Sequence, residues 1–212
     1  MGRRFRCGAR RCAGKGIRME KRPVEKIVRI VTLAPVMALL ALSILLGAQP
    51  ERFGGIGNYV MAVIFLTILP LLAYPLQQIL PGWKDKGRDG QRKLAIWMAV
   101  IGYVAGVLCA LAAAVPKGLL LVYLAYLLSG CLILLFNKGF KIKASGHACG
   151  VAGPLALLVC LLGPAALSGL PVLGLVYWAS LRMGRHTWPE MLLGSVLPLA
   201  ALFLSIAVLL PF

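Results

Sequence analysis

Long apolar runs with almost no polar interruption organise the chain. They fall at about residues 30–47, 58–80, 94–115, 119–136, 147–163, 165–181 and 190–210, and nearly all charged residues gather in the segments between them. An α-helix rises ~1.5 Å per residue, so about 20 apolar residues span the ~30 Å hydrocarbon core of a bilayer, and most of these runs are long enough individually. The stretch 147–181 is too long for one crossing and is divided by Gly163-Pro164, which predicts a hairpin of two shorter helices. None of the runs alternates with the two-residue period of a barrel strand, and backbone groups in lipid must bond internally. The pattern therefore predicts an all-α, polytopic transmembrane helix bundle of about seven spans, with six as the alternative count. Residues 27–212 form a single transmembrane domain in this reading, with kinks at Pro35, Pro70, Pro75 and Pro198.

Residues 1–26 are basic, Gly-containing and without periodicity, and are read as a disordered cytoplasmic tail lacking a signal peptide's apolar core and cleavage site. Met19-Glu20-Lys21-Arg22-Pro23 is a more ordinary start, from which residues 1–18 are expected to precede the native translation start; intact residues 1–18 on N-terminal sequencing would refute this.

Composition sharpens the picture. Of 212 residues, 60% are hydrophobic and 14% charged, against about 25% charged in an ordinary soluble domain, which excludes a soluble globular enzyme. The 23 Lys and Arg against 6 Asp and Glu give a net charge of +17, but apolar runs separate the basic clusters, so the charge reads as membrane topology and not as nucleic-acid binding. With seven spans, every Lys and Arg except Arg52 and Lys117 falls on the face that carries the tail and segments 81–93, 137–146 and 182–189. The positive-inside rule puts that face in the cytoplasm and the C-terminus outside the cell membrane. The asymmetry survives when Arg88, Arg92, Lys143, Arg182 and Arg185 are set aside as candidate ligands.

Cysteines at 7, 12, 109, 131, 149 and 160 show no paired metal-ligand spacing. The last four are read as small core residues, and Cys7 and Cys12 belong to a tail expected in a reducing compartment. Trp83, Trp97, Trp178 and Trp188 lie near span ends as interfacial anchors, while Gly102 with Gly106 and Gly150 with Gly153 predict close helix packing.

Acid–base chemistry has few places to live, because the chain holds only 2 histidines. Both fall on the same predicted face, each at the start of an apolar helix. The run Lys141-Ile142-Lys143-Ala144-Ser145-Gly146-His147 offers a hydroxyl, a glycine that allows close backbone approach, helix-end N–H groups and lysines, which together suit an anion. The second run is Arg182-Met183-Gly184-Arg185-His186-Thr187-Trp188-Pro189-Glu190. Pro189 suits the first turn of a helix, and Glu190, four residues beyond His186, is placed to hold one imidazole nitrogen and leave the other as nucleophile or base. Interfacial histidines often serve only to solvate helix ends; two such sites on one face favour chemistry. Glu190 is the only acidic residue after Asp89 and begins a membrane helix, where an unpaired carboxylate is costly.

Ser145-Gly146-His147, and Gly184-Arg185-His186-Thr187 with Glu190, resemble the second and third signature motifs of the type 2 phosphatidic acid phosphatase superfamily, the membrane lipid phosphate phosphatases. Those motifs read Pro-Ser-Gly-His, and Ser-Arg, five residues, His, three residues, Asp. The first motif reads Lys, six residues, Arg-Pro. Order and spacing across about 84–194 carry the resemblance. It implies an integral membrane hydrolase, independent of metal and of any cofactor, acting on a phosphatidate-like or polyprenyl phosphate or diphosphate. It further implies that His186 attacks phosphorus to give a phosphohistidine and that Glu190, in the place of Asp, orients it. His147 would protonate the leaving oxygen and then activate water, while Ser145 and Gly146 hold phosphoryl oxygens. Lys143, Arg182, Arg185, Arg92 and Arg88 are the candidate phosphate-binding cations.

Three departures stand out. Ala144 replaces the proline of the second motif. Ala179-Ser180 stand where Ser-Arg is expected, so the phosphate-binding arginine is absent there. In the first motif Lys86 and Lys93 have the right separation, but Leu94 follows, and Arg88 with Arg92 is an equal choice. The alternative reading is a non-catalytic lipid-headgroup-binding or transport membrane protein, which the missing arginine at 180 favours. The expected partners are a phospholipid or isoprenoid phosphate and the membrane, with no nucleic acid.

Overall fold

The apolar runs fold as helices throughout residues 23–209, the part of the chain that the computed structural model describes. In chain order these are α1 Pro23–Val31, α2 Ala34–Ala48, α3 Ile56–Val63, α4 Leu69–Ile79, α5 Gly87–Ala112, α6 Lys117–Leu134, α7 Gly146–Leu162, α8 Leu170–Arg182 and α9 Trp188–Leu209. A π turn, Ile64–Ile68, joins α3 and α4 into one rod, and a second, Leu135–Gly139, extends α6. Five stretches are long and apolar enough to cross a membrane: Ile56–Ile79, Lys93–Ala112, Lys117–Gly139, Pro164–Arg182 and Trp188–Leu209. Helices α2 and α7, of 15 and 17 residues, are apolar but shorter. The outside of the bundle is itself apolar, with Leu40, Val60, Ile101, Leu108, Val196 and Phe203 all exposed, as expected where lipid and not water is the solvent.

Prolines place the irregularities. Pro70 has no N–H to give Leu66 and its ring crowds that carbonyl; the rod answers with a π turn in which Leu69 N–H bonds Ile64 O. Pro35 acts more strongly. The first apolar run, expected as one helix over 30–47, breaks at Thr32-Leu33 into α1 and α2. Helix α1 begins at Pro23, so residues 23–26, read above as tail, belong to the first helix. Residues 1–22, with Cys7, Cys12 and the expectation about residues 1–18, lie outside the described residues. The hairpin at Gly163-Pro164 is present: Gly163, with φ 89°, ends α7, and a 3-10 stretch, Pro164–Gly169, leads into α8.

Helix α9 packs against α6 and α7, α2 lies on α7, α4 on α5, and α1 on α8. Glycines set how close these rods come. A Cβ on Gly102 would lie 2.5 Å from Phe65 O of the first π turn, one on Gly106 2.8 Å from Tyr123, and one on Gly150 2.5 Å from the Ala34 Cβ. Cys149 is buried as expected. Cys131 and Cys160 instead face outward, because the lipid side of such a bundle suits a small apolar side chain as well as the core does.

Candidate functional site: a histidine pair at one end of the bundle

Two backbone devices bring the predicted motifs together. Asn137, in the π turn that ends α6, accepts the Ala144 N–H on Oδ1 (3.1 Å) and donates from Nδ2 to Ile133 O (2.8 Å) and Ala144 O (3.3 Å). This clamp fixes the loop that carries Lys143 and delivers Ser145 as the N-cap of α7, its Oγ accepting the Ala148 N–H at 3.3 Å. Glu190 O then accepts the Ser145 N–H at 2.9 Å. The approach is possible only because the next turn of α9 carries Gly194, where a Cβ would collide with the Ser145 carbonyl and lie 3.0 Å from its N and C. The second motif is thereby seated on the first turn of the helix that carries the third.

Glu190 is the hub. Its Oε2 accepts from His186 Nδ1 at 2.8 Å and from the Thr187 N–H at 3.3 Å, and Lys143 Nζ lies 3.0 Å from Oε1. The Thr187 contact is the carboxylate half of a capping box, Thr-x-x-Glu, so Glu190 also starts α9. A carboxylate only accepts, so the shared proton sits on His186 Nδ1 and Nε2 is left as the nitrogen with a lone pair. Burial lowers the His186 pKa from its usual value; Glu190 opposes this, while Lys143 and Arg29 add to it. His186 is therefore neutral, and nucleophilic at Nε2, around neutral pH.

His147, in the first turn of α7, bonds through Nε2 to Thr32 Oγ1 at 3.0 Å. Arg29 of α1 acts electrostatically on both imidazoles, and His186 acts on His147, so the two motifs share one electrostatic site. Helix α1 is amphipathic in an inverted sense: Val24, Ile27, Ile30 and Val31 are exposed while Glu25 is buried. Its polar face meets the protein, where Glu25 Oε1 lies 3.3 Å from Arg182 Nε.

The candidates named from the sequence divide. His147, His186, Glu190, Lys143 and Ser145 come together. Ser145 Oγ is buried and occupied as a cap, whereas Gly146 is exposed with open space where a Cβ would sit. Arg182 is held by Glu25 and stacks over Trp178 at 5.3 Å. Arg185 is exposed, its backbone N–H bonded to Ser180 O. The side chains of Arg88 and Arg92 lie outside the described residues. At the turn between α4 and α5 is an open hollow of about 520 Å³ lined by Gln77, Gln78, Lys84, Gly87 and Gln91. Ser180 is fully buried on the helix that α1 covers. Arg29, Thr32 and Asn137 are participants that reading the motifs did not name. Among the described residues, no three His, Cys, Asp or Glu side chains gather as a metal-ligand set. Comparison with protein-family models, curated proteins and solved structures gives no match.

Proposed function

We propose that this protein is an integral membrane phosphatase, resembling the type 2 phosphatidic acid phosphatases, that hydrolyses a lipid phosphate or diphosphate through a phosphohistidine. The observation that carries the reading is the His186–Glu190 pair, with Nδ1 held at 2.8 Å, within electrostatic reach of His147 from a second, distant motif. Chance helix-end histidines have no reason to be held each by its own partner and to share the field of one cation, Arg29.

His186 Nε2 attacks phosphorus as the bond to the leaving oxygen breaks, and His147, charged by the proton that the substrate's phosphate brings, gives that oxygen a proton, releasing the lipid alcohol, or the lipid monophosphate from a diphosphate. Glu190 stabilises the positive charge that develops on His186. Neutral His147 then takes a proton from water as the water oxygen attacks phosphorus, the P–N bond breaks, and inorganic phosphate leaves with His186 neutral again. Arg29, entering from α1, takes the part of the arginine absent at 180, and Lys143 adds a second cation. Gly146, the first residue of α7, is exposed and leaves the helix N-terminus open to an anion. An apolar groove of about 450 Å³ between α7, α8 and α9, lined by Ala152, Leu155, Leu173, Ser195 and Leu199, begins just over one helical turn below His147 and Glu190 and suits a hydrocarbon tail.

In this reading α2 and α7 join the five longer stretches as spans. Seven crossings keep the basic segments and the histidine pair at the cytoplasmic face of the cell membrane and the C-terminus outside. The alternative, a headgroup binder or transporter, draws on the buried Ser180 where an arginine is expected. Purified protein with short-chain phosphatidate or polyprenyl phosphate decides between them: the phosphatase reading expects phosphate release that His186→Ala abolishes, and unchanged release in that variant refutes it.

A further inference from the structure

The break between α1 and α2 brings a hydroxyl to His147, and the direction of its hydrogen bonds can be worked out. Thr32 Oγ1 lies 2.6 Å from Val28 O, one turn back in α1. A carbonyl carries no proton, so the single hydroxyl proton lies in that contact. Oγ1 therefore faces His147 Nε2, 3.0 Å away, as an acceptor, and the proton between them belongs to the imidazole. Thr32 is itself buried, so water does not compete for this arrangement. The histidine pair is thus held in opposite senses: His186 is anchored through Nδ1 and bare at Nε2, whereas His147 is anchored through Nε2 and bare at Nδ1.

We propose that Thr32 is the positioning residue of His147, fixing Nε2–H so that Nδ1 is the nitrogen that gives a proton to the leaving oxygen and takes one from water. The proposal rests on the phosphatase reading for what Nδ1 does, but not for where the proton sits. A hydroxyl suits this role better than a carboxylate. His147 has to cycle between charged and neutral forms, and a neutral acceptor holds the ring in both without locking it as the cation. His186, which carries positive charge for as long as it holds the phosphoryl group, has the carboxylate. Both ionisable neighbours acting on His147, Arg29 from α1 and His186 from the α8–α9 turn, belong to the same site.

The chain's 2 histidines make a direct test simple. In ¹⁵N-histidine-labelled protein in micelles at mildly alkaline pH, one imidazole is expected to be protonated at Nε2 and the other at Nδ1. His147→Gln removes the first pattern and so assigns both. Thr32→Val, of nearly the same shape, is expected to speed solvent exchange of the His147 Nε2 proton and leave the His186 signals in place, which also reports that the variant is folded. It should lower kcat on short-chain phosphatidate by about tenfold or more, the usual loss when the partner of a functional imidazole goes, and Thr32→Ser should restore most of it. His147 protonated at Nδ1, or a Thr32→Val enzyme within twofold of an active wild type, overturns the proposal. Wild-type protein that releases no phosphate overturns the phosphatase reading, and the spectrum still decides the role of Thr32.

Discussion

Replacing Glu190 by Gln separates the two tasks that this residue performs. Glutamine is also accepted at the third position of a capping box, so its carbonyl can keep the Thr187 N–H bond that starts α9. It can also accept from His186 Nδ1, now 2.8 Å from the carboxylate. What is lost is the charge. Taking about 5 Å between the carboxylate and the positive charge that forms on the imidazole, and an effective dielectric constant of about 20, the interaction is about 3 kcal/mol. At about 1.4 kcal/mol per decade this is roughly two orders of magnitude in kcat. Lys143 opposes the carboxylate from 3.0 Å, but its side chain is 56% exposed, so hydration screens it and the expected loss changes little. The assay is phosphate release from short-chain phosphatidate by purified protein in detergent, paired with thermal unfolding followed by tryptophan fluorescence. A fall in kcat near a hundredfold with an unfolding midpoint close to wild type is expected. A variant within threefold of wild type would refute the electrostatic role and leave Glu190 as a helix cap alone.

Three further outcomes follow from the same geometry. Because His186 must be neutral to attack and burial lowers its pKa, kcat/KM should fall on the acid side with an apparent pKa below the usual histidine value; in Lys143→Met, which removes a group that lowers it, that limb should move upward. Gly194→Ala drives a methyl group into the Ser145 backbone, and should cost about 1–3 kcal/mol by overpacking while also lowering activity, measured by unfolding and turnover together. Arg29→Met should weaken inhibition by inorganic phosphate and raise KM, with Arg29→Lys recovering only part, since a lysine lacks the bidentate fork.

The parts of this site legible in the sequence are those whose partners are close along the chain. His186 and Glu190 are four residues apart, so helix geometry alone predicts their contact, and the Ser145-Gly146-His147 run opens a helix as its small and polar residues suggest. Arg29 and Thr32 were not legible because they reach the histidines from α1 and its end, far away in the chain, and Asn137 because it acts through the backbone of Ala144 in the loop before α7. Helix α1 is the clearest instance. Its apolar positions Val24, Ile27, Ile30 and Val31 follow a helical period, but the helix has only 9 residues, and the basic stretch before it hides the signal. The pattern also assumes that apolar residues face inward. Here they face outward, and the polar side chains Glu25 and Arg29 face the protein. The bundle itself was readable from the length and dryness of the apolar runs, whereas the break at Thr32-Leu33 depends on what Pro35 does to a carbonyl one turn earlier.

The central claim is that His186 becomes covalently phosphorylated. Incubating the His147→Gln protein with p-nitrophenyl phosphate, whose leaving group needs no proton, and quenching in alkali for peptide mass spectrometry tests it most directly. One phosphoryl group is expected on the peptide that holds His186, and none when His186 is also replaced by Gln. Phosphate release by the wild type with that histidine never modified, or full turnover by His186→Gln, would contradict it.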